Sequence, residues 1–541
     1  MPNEIAKLAR ERFEIERLRP GQEEAVRAVL HGHDTLAVMS TGYGKSLIYQ
    51  LAALMIPGPT LVISPLISLQ RDQVEAIDEE LPGEATAIDA SVSEHQREER
   101  LEELAHDELE FLFLAPEQLA REETVEALRE AKPSLLVIDE AHSISEWGHD
   151  FRPEYLRLGR LADELGHPTI LALTATASPP VRDEIVERLR MRDPEVIVRG
   201  FDRPNIHLAV EHHREEKHKR EALIERALEL DGAGIVYVAT RRLADELADE
   251  LSGRGAAAAS YHAGLTRKHR DQVQERFMDD EIRVVVATTA FGMGVDKPNI
   301  RFVLHHDPSD SVDSYYQEIG RSGRDGEPAR AILFYRAEDI GIRRFFASGG
   351  QVDGETLERV ATLVRVAGHP VEPSDLQEEA HTSASKLMSA LTRLEDVGAV
   401  HIEPDGKVTP EPMLEDELDQ AVERAEREEE QRGSFDRSRV EMMRGYAEHE
   451  HCRRAFILSY FGEPHEGECG NCDNDDAGHG RPEPGERPFE VGGRVEHREW
   501  GQGVVQRYDG DEMFVLFDSV GYKTLSVELV EHRGLLASVD R

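Results

Sequence analysis

Short apolar runs alternate with amphipathic stretches through the first two thirds of the chain. Two of these runs are DTLAVM (34–39) and LLVI (135–138), and each is followed by a polar loop. A second set of runs repeats the arrangement: GIVYVAT (234–240), AASYHAG (258–264), VVVATT (284–289) and FVLHHD (302–307). Continuous apolar runs are typical of strands buried on both faces, and strands that alternate with helices form parallel sheets. The pattern therefore predicts an α/β protein with two parallel-sheet lobes, over residues 1–200 and 201–346.

The pattern becomes mainly helical after residue 350. Three amphipathic stretches come first, followed by two strand-like runs around a turn: ETLERVATLVRV, PSDLQEEAH, SASKLMSALTRLEDVG, AVHIEP and KVTP. Three helices and a hairpin are typical of a winged-helix module, which we predict over residues 351–412. A long, highly charged helix is predicted over residues 413–433, inside a helical module that spans residues 413–478.

The last segment of the chain has the pattern of a small β domain. Residues 478–488, GHGRPEPGERP, predict a flexible linker. Short strands then follow one another, and YDGDE provides an Asp-Gly turn between two of them. We therefore predict a small all-β barrel over residues 486–541.

The charge is strongly acidic, because 108 Asp and Glu face 64 Lys and Arg, a formal net charge of −44. Two interpretations stay open: an ordinary acidic enzyme, or a halophilic protein adapted to a cytoplasm of very high salt. The net charge alone argues against nucleic acid as a partner. At molar salt, however, the Debye length falls to about 3 Å, and local arginine contacts then matter more than net charge.

The cellular location is predicted from the termini, the apolar runs and the cysteines. The first ten residues are polar, and no apolar run reaches the roughly 18 residues that span a bilayer. Three cysteines, two of them in one Cys-x-x-Cys knuckle, indicate a reducing compartment. We therefore predict a cytoplasmic protein with no membrane partner.

A glycine-containing loop, STGYGKS (40–46), joins the first apolar run to a helical stretch. Backbone N–H groups at such a helix N-terminus surround phosphate oxygens. Lys45 would reach the β- and γ-phosphates, and Ser46 would ligate Mg²⁺. The strict phosphate-loop pattern wants glycine at position 39, where this chain has Met39. The predicted ATP-binding residues of the loop are Thr41, Gly42, Gly44, Lys45 and Ser46.

Two adjacent acids follow the buried run LLVI. Asp139 would hold Mg²⁺, directly or through water, and Glu140 would orient and deprotonate the attacking water. Adjacent acids are also common at strand ends. A phosphate loop upstream favours reading them as the second half of an ATP site.

Several motifs now identify a resemblance. DEAH (139–142), with TAT (174–176), is similar to the superfamily 2 helicases. Four further segments resemble the RecQ family of ATP-dependent DNA helicases: LRPGQ (18–22), SPLISLQRDQV (64–74), SEWGHDFRPEY (145–155) and FDRPNI (201–206). The resemblance covers roughly residues 10–345. It implies two tandem RecA-like lobes and an enzyme that hydrolyses ATP to move 3′ to 5′ on single-stranded DNA. It also implies that duplex DNA is unwound in repair or recombination.

The resemblance also assigns roles to individual residues. In this family the glutamine of RPGQ reads the adenine, which implies that role for Gln22, with Arg19 beside it. SEWGHDFRPEY matches the family's aromatic-rich loop, which senses single-stranded DNA. Aromatic faces stack on any base, and arginine adds charge; core packing of the aromatic side chains is the alternative. The predicted DNA-coupling residues are Trp147, Phe151, Arg152 and His142.

The segment QEIGRSGRDG (317–326) places Gln317, Arg321 and Arg324 at successive helical turns. Two arginines in a phosphate cleft can neutralise charge in the transition state, although a solvated helix face is the alternative. The segment resembles helicase motif VI, which implies γ-phosphate sensing by Arg321 and Arg324. FGMGVDKP (291–298) resembles motif V, with Gly294 and Asp296.

YAEHEHCRRAFILSYFGE (446–463), together with CGNCDNDD (469–476), resembles the zinc module of the RecQ family. The family pattern ends in a third closely spaced cysteine, where this chain has aspartate. A carboxylate is an acceptable zinc ligand, although structural sites prefer sulfur or nitrogen. The predicted structural zinc ligands are Cys452, Cys469, Cys472 and Asp475. Asp476, His451 or His479 as the fourth ligand, or no zinc at all, stay open. The winged-helix-like module precedes this module, whereas the family commonly has the reverse order.

The tail resembles the Tudor-type tail of UvrD and PcrA helicases at WGQGVV (500–505) and FDSVGYKTL (517–525). Such a tail contacts a protein partner or nucleic acid, and a purely stabilising role is the alternative. For the whole chain we expect DNA, as single strands and duplex junctions, as the partner. An RNA or double-strand translocase and a non-hydrolysing DNA-binding scaffold are the competing functions.

Overall fold

The computed structural model describes most of the 541-residue chain. The described residues are 2–65, 67–80, 83–89, 92–106, 109–145, 152–292, 295, 297–348, 352–402, 407–463, 465, 467–478 and 487–539. They form two parallel sheets, a two-stranded hairpin and a five-stranded antiparallel sheet.

The first lobe is built on seven parallel strands. They are β1 (Thr35–Met39), β2 (Thr60–Ile63), β3 (Ala85–Ile88), β4 (Phe111–Leu114), β5 (Leu135–Ile138), β6 (Thr169–Thr174) and β7 (Glu195–Arg199). Their order is β3-β4-β2-β5-β6-β1-β7. Every residue of β1, β2, β4 and β5 is buried, which explains their uninterrupted apolar runs. The order brings the carboxyl ends of β5, β6 and β1 side by side, where the candidate site lies.

Eight helices belong to this part of the chain. They are α1 (Pro2–Phe13), α2 (Gln22–Leu30), α3 (Ser46–Ala53), α4 (Ile67–Glu80), α5 (Glu94–Ala105), α6 (Glu122–Ala131), α7 (Leu158–Glu164) and α8 (Pro179–Arg188). Three short 3₁₀ helices cover Pro116–Ala120, Ala141–Ile144 and Pro153–Arg157.

The second lobe has six parallel strands and five helices. The strands are β8 (Ile206–His212), β9 (Ala233–Tyr237), β10 (Ala258–Tyr261), β11 (Val284–Ala287), β12 (Ile300–His305) and β13 (Ala329–Tyr335), in the order β10-β11-β9-β12-β13-β8. The helices are α9 (Glu216–Glu229), α10 (Arg241–Gly253), α11 (Arg267–Met278), α12 (Val312–Ile319) and α13 (Asp339–Ser348). The prediction of two parallel-sheet lobes is confirmed.

Three helices and a hairpin follow the second lobe, as the pattern predicted. They are α14 (Gly354–Ala367), α15 (Pro373–Ala380), α16 (Ala384–Asp396), β14 (Val400–Ile402) and β15 (Val408–Pro410). The two strands pair antiparallel. These elements share a buried core that includes Leu357, Leu391 and Val408, and residues 418–425 of the next helix contribute to it.

Helix α17 (Glu415–Glu448) is a single helix of 34 residues, so the predicted end at residue 433 is wrong. A glycine inside a helix costs about 1 kcal/mol relative to alanine, and Gly433 lies inside this helix. Beyond it, however, the helix buries Phe435, Val440, Met443 and Ala447. Burial of these side chains outweighs the cost of the glycine.

The chain ends in two short helices and an antiparallel sheet. The elements are α18 (Arg453–Tyr460), α19 (Asp473–Asp476), β16 (Arg494–His497), β17 (Gly501–Asp509), β18 (Glu512–Phe517), β19 (Gly521–Ser526), α20 (Val527–Arg533) and β20 (Leu536–Ser538). The sheet order is β19-β18-β17-β16-β20. The short strands were therefore predicted correctly, whereas closure into a barrel stays a prediction. Nowhere in the described ranges is a helix long and apolar enough to cross a lipid bilayer.

One buried apolar cluster connects these parts. It includes Leu36 of the first sheet, Val303 of the second, Phe456 of α18 and Phe514 of the tail sheet. The tail sheet and α18 therefore pack against the two lobes and do not stand apart from them.

A buried charge cluster lies at the end of β12, away from the candidate site. Lys219 is fully buried, and its Nζ lies 2.8 Å from Asp339 Oδ2 and 3.6 Å from Asp307 Oδ1. His306 lies 3.0 Å from a carboxylate oxygen of Glu216 and 3.1 Å from one of Asp307. Burial lowers the pKa of His306 and the charge of Lys219 opposes its protonation, but Asp307 and Glu216 together raise this pKa above its usual value.

The raised pKa of His306 predicts a stability that falls at alkaline pH. The protonated imidazole stabilises the fold fully below the unfolded pKa of about 6.5, and this stabilisation is lost as pH rises through the folded-state pKa. We expect a loss on the order of 1 kcal/mol, or about 2–4 °C in Tm. Thermal unfolding from slightly acidic to alkaline pH should show a smaller decline for His306→Gln than for wild type. The exposed His218 serves as a control through His218→Gln; equal slopes in all three proteins would refute the assignment.

Candidate functional site

The glycine loop connects β1 to α3 at the carboxyl edge of the first sheet. Gly42 and Gly44 have φ of 76° and 86°, a backbone region that favours glycine. A Cβ on Gly44 would also lie only 2.7 Å from Gln22 Nε2. Thr41 lies within the loop, and α3 begins at Ser46. The loop therefore has the strand–loop–helix geometry that the sequence predicted.

Lys45 is held between the loop and the acids of the next strand. Its Nζ donates a hydrogen bond to Met39 O at 3.1 Å. Burial lowers the pKa of Lys45, and the charges of Glu140 and Asp139 raise it in part. The charge of Arg324 from the second lobe lowers it further. Lys45 therefore lies where charges of both lobes meet.

Gln22 and Arg19 pack directly on the loop. Gln22 Nε2 donates to the carbonyls of Tyr43 at 3.0 Å and Gly44 at 2.9 Å, and its Oε1 accepts from Arg19 N at 2.7 Å. The Arg19 guanidinium donates to Gly42 O at 2.6 Å and lies 5.4 Å from the centre of the Tyr43 ring. Tyr43 was not among the residues predicted from the sequence, and its hydroxyl donates to Pro20 O at 3.0 Å. Adenine recognition by Gln22 stays a prediction.

Asp139 and Glu140 follow β5, next to the loop that follows β1. Burial and the charge of Glu140 raise the pKa of Asp139 to about 7, against the opposing charge of Lys45. Glu140 has a φ of 48°, a left-handed conformation that non-glycine residues seldom adopt. Its backbone N–H donates to Asp139 Oδ1 at 3.0 Å. A strained residue at this edge is typical of a functional site.

His142 connects the two acids to the neighbouring strand β6. Its Nδ1 lies 3.3 Å from Glu140 Oε2 and 2.9 Å from Thr174 Oγ1. Thr174 Oγ1 in turn donates to Thr176 O at 3.1 Å. His142 is buried, so the DEAH and TAT motifs form one hydrogen-bonded unit.

The predicted DNA-coupling loop is only partly described. Arg152 N donates to Ser143 O at 2.8 Å, and Arg152 Nη1 donates to Pro65 O at 3.4 Å. Arg152 is therefore tied to the DEAH segment. Trp147 and Phe151 lie outside the described residues.

The second lobe holds both arginines of the predicted set, and one of them reaches the glycine loop. Arg321 is buried, and its guanidinium donates to Gly292 O. Arg324 donates to Val295 O at 3.0 Å. Its Cγ lies 3.7 Å from the position that a Cβ on Gly42 would occupy, so it reaches the glycine loop of the first lobe. Gln317 is half-buried on α12, and Gly294 and Asp296 lie outside the described residues.

Arg203 is a further cation that the sequence analysis did not single out. It donates to the carbonyls of Gly320 at 2.9 Å and Ser322 at 2.8 Å. Burial lowers its pKa, and the charges of Arg324 and Arg19 lower it further. The motif FDRPNI, in which Arg203 stands, was the signal that could have identified it. Cations from both lobes thus surround the glycine loop, which suits a polyphosphate ligand.

The three cysteines and Asp475 form one cluster. Their ligand atoms all lie within 4.8 Å of one another. Hydrogen bonds from Cys469 and Cys472 lower the pKa of the Cys452 thiol to about 3. The bond to Cys452 and a further one to Cys472 raise the pKa of the Cys469 thiol. Thiol groups gathered in this way form a set of soft donors that suits zinc.

The carboxylate of Asp475 fits the fourth position of such a site. Its Oδ2 accepts from Gly470 N at 2.9 Å, and its buried Oδ1 accepts no hydrogen bond from the residues that are described. Asp476 turns the other way, with Oδ2 at 2.9 Å from His207 Nε2. His451 is not in the cluster, and His479 lies outside the described residues.

The cysteine segment is fixed to the second lobe. Asp473 accepts from Val210 N at 2.8 Å and from Arg453 Nε at 2.6 Å. Arg454 pairs with Asp202 at 2.7 Å. The segment is thus attached to β8 and to the chain that joins the two lobes.

Three family models match the chain. They are DEAD/DEAH box helicase at residues 19–185, helicase conserved C-terminal domain at residues 218–326 and RecQ zinc-binding at residues 411–476. The Bacillus subtilis protein named "Probable ATP-dependent DNA helicase RecS" is 35% identical over 460 residues. The match covers 85% of this chain and 88% of that protein. The chain belongs to the RecQ family of ATP-dependent DNA helicases.

Other RecQ relatives match a smaller share of their own length. The ATP-dependent DNA helicase RecQ of Pasteurella multocida is 39% identical, over 72% of this chain and 65% of that protein. The RecQ protein of Bacillus subtilis is 43% identical, over 62% of this chain and 56% of that protein. ATP, Mg²⁺ and zinc are therefore the cofactors of this RecQ-type helicase.

A solved structure shows the same fold. The DUF1998 helicase MrfA, in a structure with DNA and AMPPNP, has a TM-score of 0.52 and 20% sequence identity. The match covers 76% of this chain and 62% of that one.

Proposed function

We propose that this RecQ-type helicase hydrolyses ATP between its two parallel-sheet lobes and thereby moves 3′ to 5′ on single-stranded DNA. It would unwind duplex DNA in repair or recombination. One observation carries the proposal: Arg324 of the second lobe reaches the glycine loop that also holds Lys45. A nucleotide bound there would contact both lobes at once.

The roles of the site residues follow from their positions. Lys45 and the loop N–H groups would bind the phosphates, with Thr41, Gly42 and Gly44 in the loop. Ser46 and Asp139 would hold Mg²⁺, which neutralises charge on the phosphate oxygens. Glu140 would orient and deprotonate the attacking water. Arg321 and Arg324, with Gln317 beside them, would stabilise the charge on the transferred phosphoryl group. Gln22 and Arg19 would bind the adenine side.

Movement along DNA would follow from a difference in ATP affinity between two arrangements of the lobes. In the closed arrangement residues of both lobes bind ATP, whereas in the open arrangement residues of one lobe bind it. Hydrolysis removes the group that joins the lobes, so they separate again. Trp147, Phe151 and Arg152, with His142 behind them, would transmit the presence of single-stranded DNA to the acids that follow β5.

The remaining modules would serve DNA binding. We assign residues 351–412 to a winged-helix-like module and residues 413–478 to a zinc module with Asp475 as fourth ligand. Residues 486–541 would form a Tudor-like barrel of the UvrD and PcrA type, able to contact a protein partner. The lobes would span residues 1–200 and 201–346. The high acidity would keep the enzyme active in molar salt.

Strand displacement tests the proposal. A duplex with a 3′ single-stranded tail should be unwound in the presence of ATP and Mg²⁺, and a 5′-tailed duplex of the same sequence should not. Single-stranded DNA should stimulate ATP hydrolysis, in low salt or in molar salt. Glu140→Gln should bind ATP and lose about 10²–10⁴-fold in hydrolysis, since the base is removed. ATPase activity without any response to DNA, at every salt concentration, would refute the coupling.

A further inference from the structure

The first turn of α12 is held by side chains from outside the second lobe. Asp313 is buried in this turn, and its Oδ2 accepts a hydrogen bond from the hydroxyl of Tyr460 at the end of α18. Arg439 of α17 lies 3.7 Å from the same oxygen and donates to Ser311 Oγ at 3.0 Å. Ser311 Oγ also caps the helix, because it accepts from Ser314 N at 3.1 Å. Two residues of the C-terminal modules thus fix the beginning of α12.

Helix α12 leads directly into the arginine segment. It ends at Ile319, and Arg321 follows two residues later. Asp313, Gln317 and Arg321 are spaced by four residues, which places them on one side of a helical path. A hydrogen-bonded helix of this length moves as a unit, so a shift at Asp313 is passed on to Arg321 and Arg324. Misplacement of a catalytic group by about 1 Å can cost 10²-fold in rate.

The buried carboxylate of Asp313 depends on its two contacts. A buried charge is tolerated only where hydrogen bonds and an opposite charge compensate for its lost hydration. Tyr460 supplies the hydrogen bond, and Arg439, itself buried, supplies the charge. Loss of either contact would allow water to compete for Asp313, and the first turn of α12 would shift.

We propose that Tyr460 and Arg439 are positioning residues for ATP hydrolysis, because they hold α12 through Asp313 so that Arg324, in the segment after this helix, meets the glycine loop. This inference rests on the proposed function of that loop as the ATP site. It gives the helical and cysteine modules a role in the chemistry of the lobes, in addition to any contact with DNA.

The tail sheet covers this contact. The ring of Tyr522 in β19 stacks on the ring of Tyr460, with centroids 5.3 Å apart and an angle of 29°. Tyr522 N donates to Ser438 Oγ at 3.0 Å, which fixes the strand to α17. A Cβ on Gly521 would lie 2.2 Å from the same Ser438 oxygen, so the approach requires glycine. The buried Tyr522 hydroxyl lies beside the hydroxyls of Tyr460 and Ser178.

The two stacked tyrosines provide a matched pair for the test. Tyr460→Phe removes the hydroxyl that donates to Asp313, whereas Tyr522→Phe removes a neighbouring hydroxyl and keeps that donor. Both variants keep the stacked rings and should fold; Tyr522→Phe should unfold near the wild-type temperature, and Tyr460→Phe at a lower one, because it leaves the buried carboxylate of Asp313 with one hydrogen bond fewer. We expect Tyr460→Phe to lower kcat for DNA-stimulated ATP hydrolysis by about 10–100-fold. KM for ATP should stay within about twofold, because only the transition state loses an interaction. Tyr522→Phe should have wild-type kcat and KM.

Two results would overturn the proposal: an unchanged kcat in Tyr460→Phe, with or without a raised KM, or an equal loss of kcat in both variants. Should Tyr460→Phe fail to fold, Arg439→Gln and Arg439→Lys decide instead. Lysine keeps a charge beside Asp313, so Arg439→Lys should keep part of the kcat that Arg439→Gln loses, and equal kcat values in the two variants would overturn the proposal.

Arg324→Ala, measured in parallel, distinguishes failure of the positioning role from failure of the proposed ATP site. If it abolishes hydrolysis while Tyr460→Phe is normal, only the positioning role fails; if it has no effect, the proposed ATP site fails.

Discussion

Arg324→Ala is expected to lower kcat for DNA-stimulated ATP hydrolysis by about 10³-fold or more, the usual effect of removing an arginine finger. Arg324 is the residue whose side chain reaches from the second lobe to the glycine loop, with its Cγ 3.7 Å from a Cβ placed on Gly42. In the proposed role its charge would act on the phosphoryl group mainly in the transition state, so KM for ATP should change far less than kcat. Steady-state hydrolysis at saturating single-stranded DNA measures both constants.

Lysine at position 324 should restore little of this activity. A compact ammonium group cannot reproduce the planar, forked donors of a guanidinium. Arg242→Ala is the matched control, because Arg242 is 89% exposed on α10 and pairs with the neighbouring Glu246. It should keep wild-type kcat. If Arg324→Ala kept more than about a tenth of the wild-type kcat, the role of the second lobe in the chemistry would be wrong.

Cys472→Ala is expected to remove bound zinc and to unfold the segment that contains α18 and α19. Structural zinc contributes about 10–16 kcal/mol to small zinc-binding peptides, so loss of one thiolate ligand should exceed the stability of a module of this size. Cys472 is fully buried, and its backbone forms an isolated β-bridge with Leu208 of β8. Unfolding of this segment should therefore also destabilise the second lobe. Zinc content per chain and hydrogen exchange of α18 measure the two effects.

Two neighbouring aspartates test the identity of the fourth ligand. Asp475→Asn removes the carboxylate whose Oδ1 lies buried in the cluster, and it should lower zinc affinity about 10–100-fold or more. Asp476→Asn removes a carboxylate that contacts His207 and should keep zinc at the wild-type level. Full zinc retention in Asp475→Asn would exclude its carboxylate as a ligand. Zinc absent from the wild-type chain would refute the site altogether.

The glycine loop and the paired acids could be predicted from the sequence, because their geometry depends on residues that are close neighbours in the chain. A tight loop between a buried strand and a helix requires left-handed backbone conformations, which glycine adopts readily. Gly42 and Gly44 have these positive φ angles. Asp139 and Glu140 likewise had to appear at the carboxyl end of β5, because a continuous apolar run predicts a strand buried in a parallel sheet. The same logic predicted the helices and hairpin after residue 351, whose apolar spacing is regular.

Other features depended on contacts between distant segments. The end of α17 was predicted at residue 433, whereas packing of Phe435 and Met443 carries the helix to Glu448. Tyr43 and Arg203 were missed, since their partners at Pro20 and Gly320 lie far away in the sequence. The choice between Asp475 and Asp476 was open in the sequence. The structure separates them through the contact of Asp476 with His207.

The amino-acid sequence by itself determined the two parallel-sheet lobes, the phosphate loop, the paired acids and the residues available to hold zinc. Each of these follows from backbone geometry, apolar periodicity or donor chemistry within a short stretch of chain. Only the tertiary structure decided that Arg324 meets Gly42 across the two lobes. It also decided that Asp313 is held by Tyr460 and Arg439, and that the tail sheet covers this contact. Those arrangements arise from burial of apolar surface and pairing of buried charges between segments far apart in sequence, which no local pattern encodes.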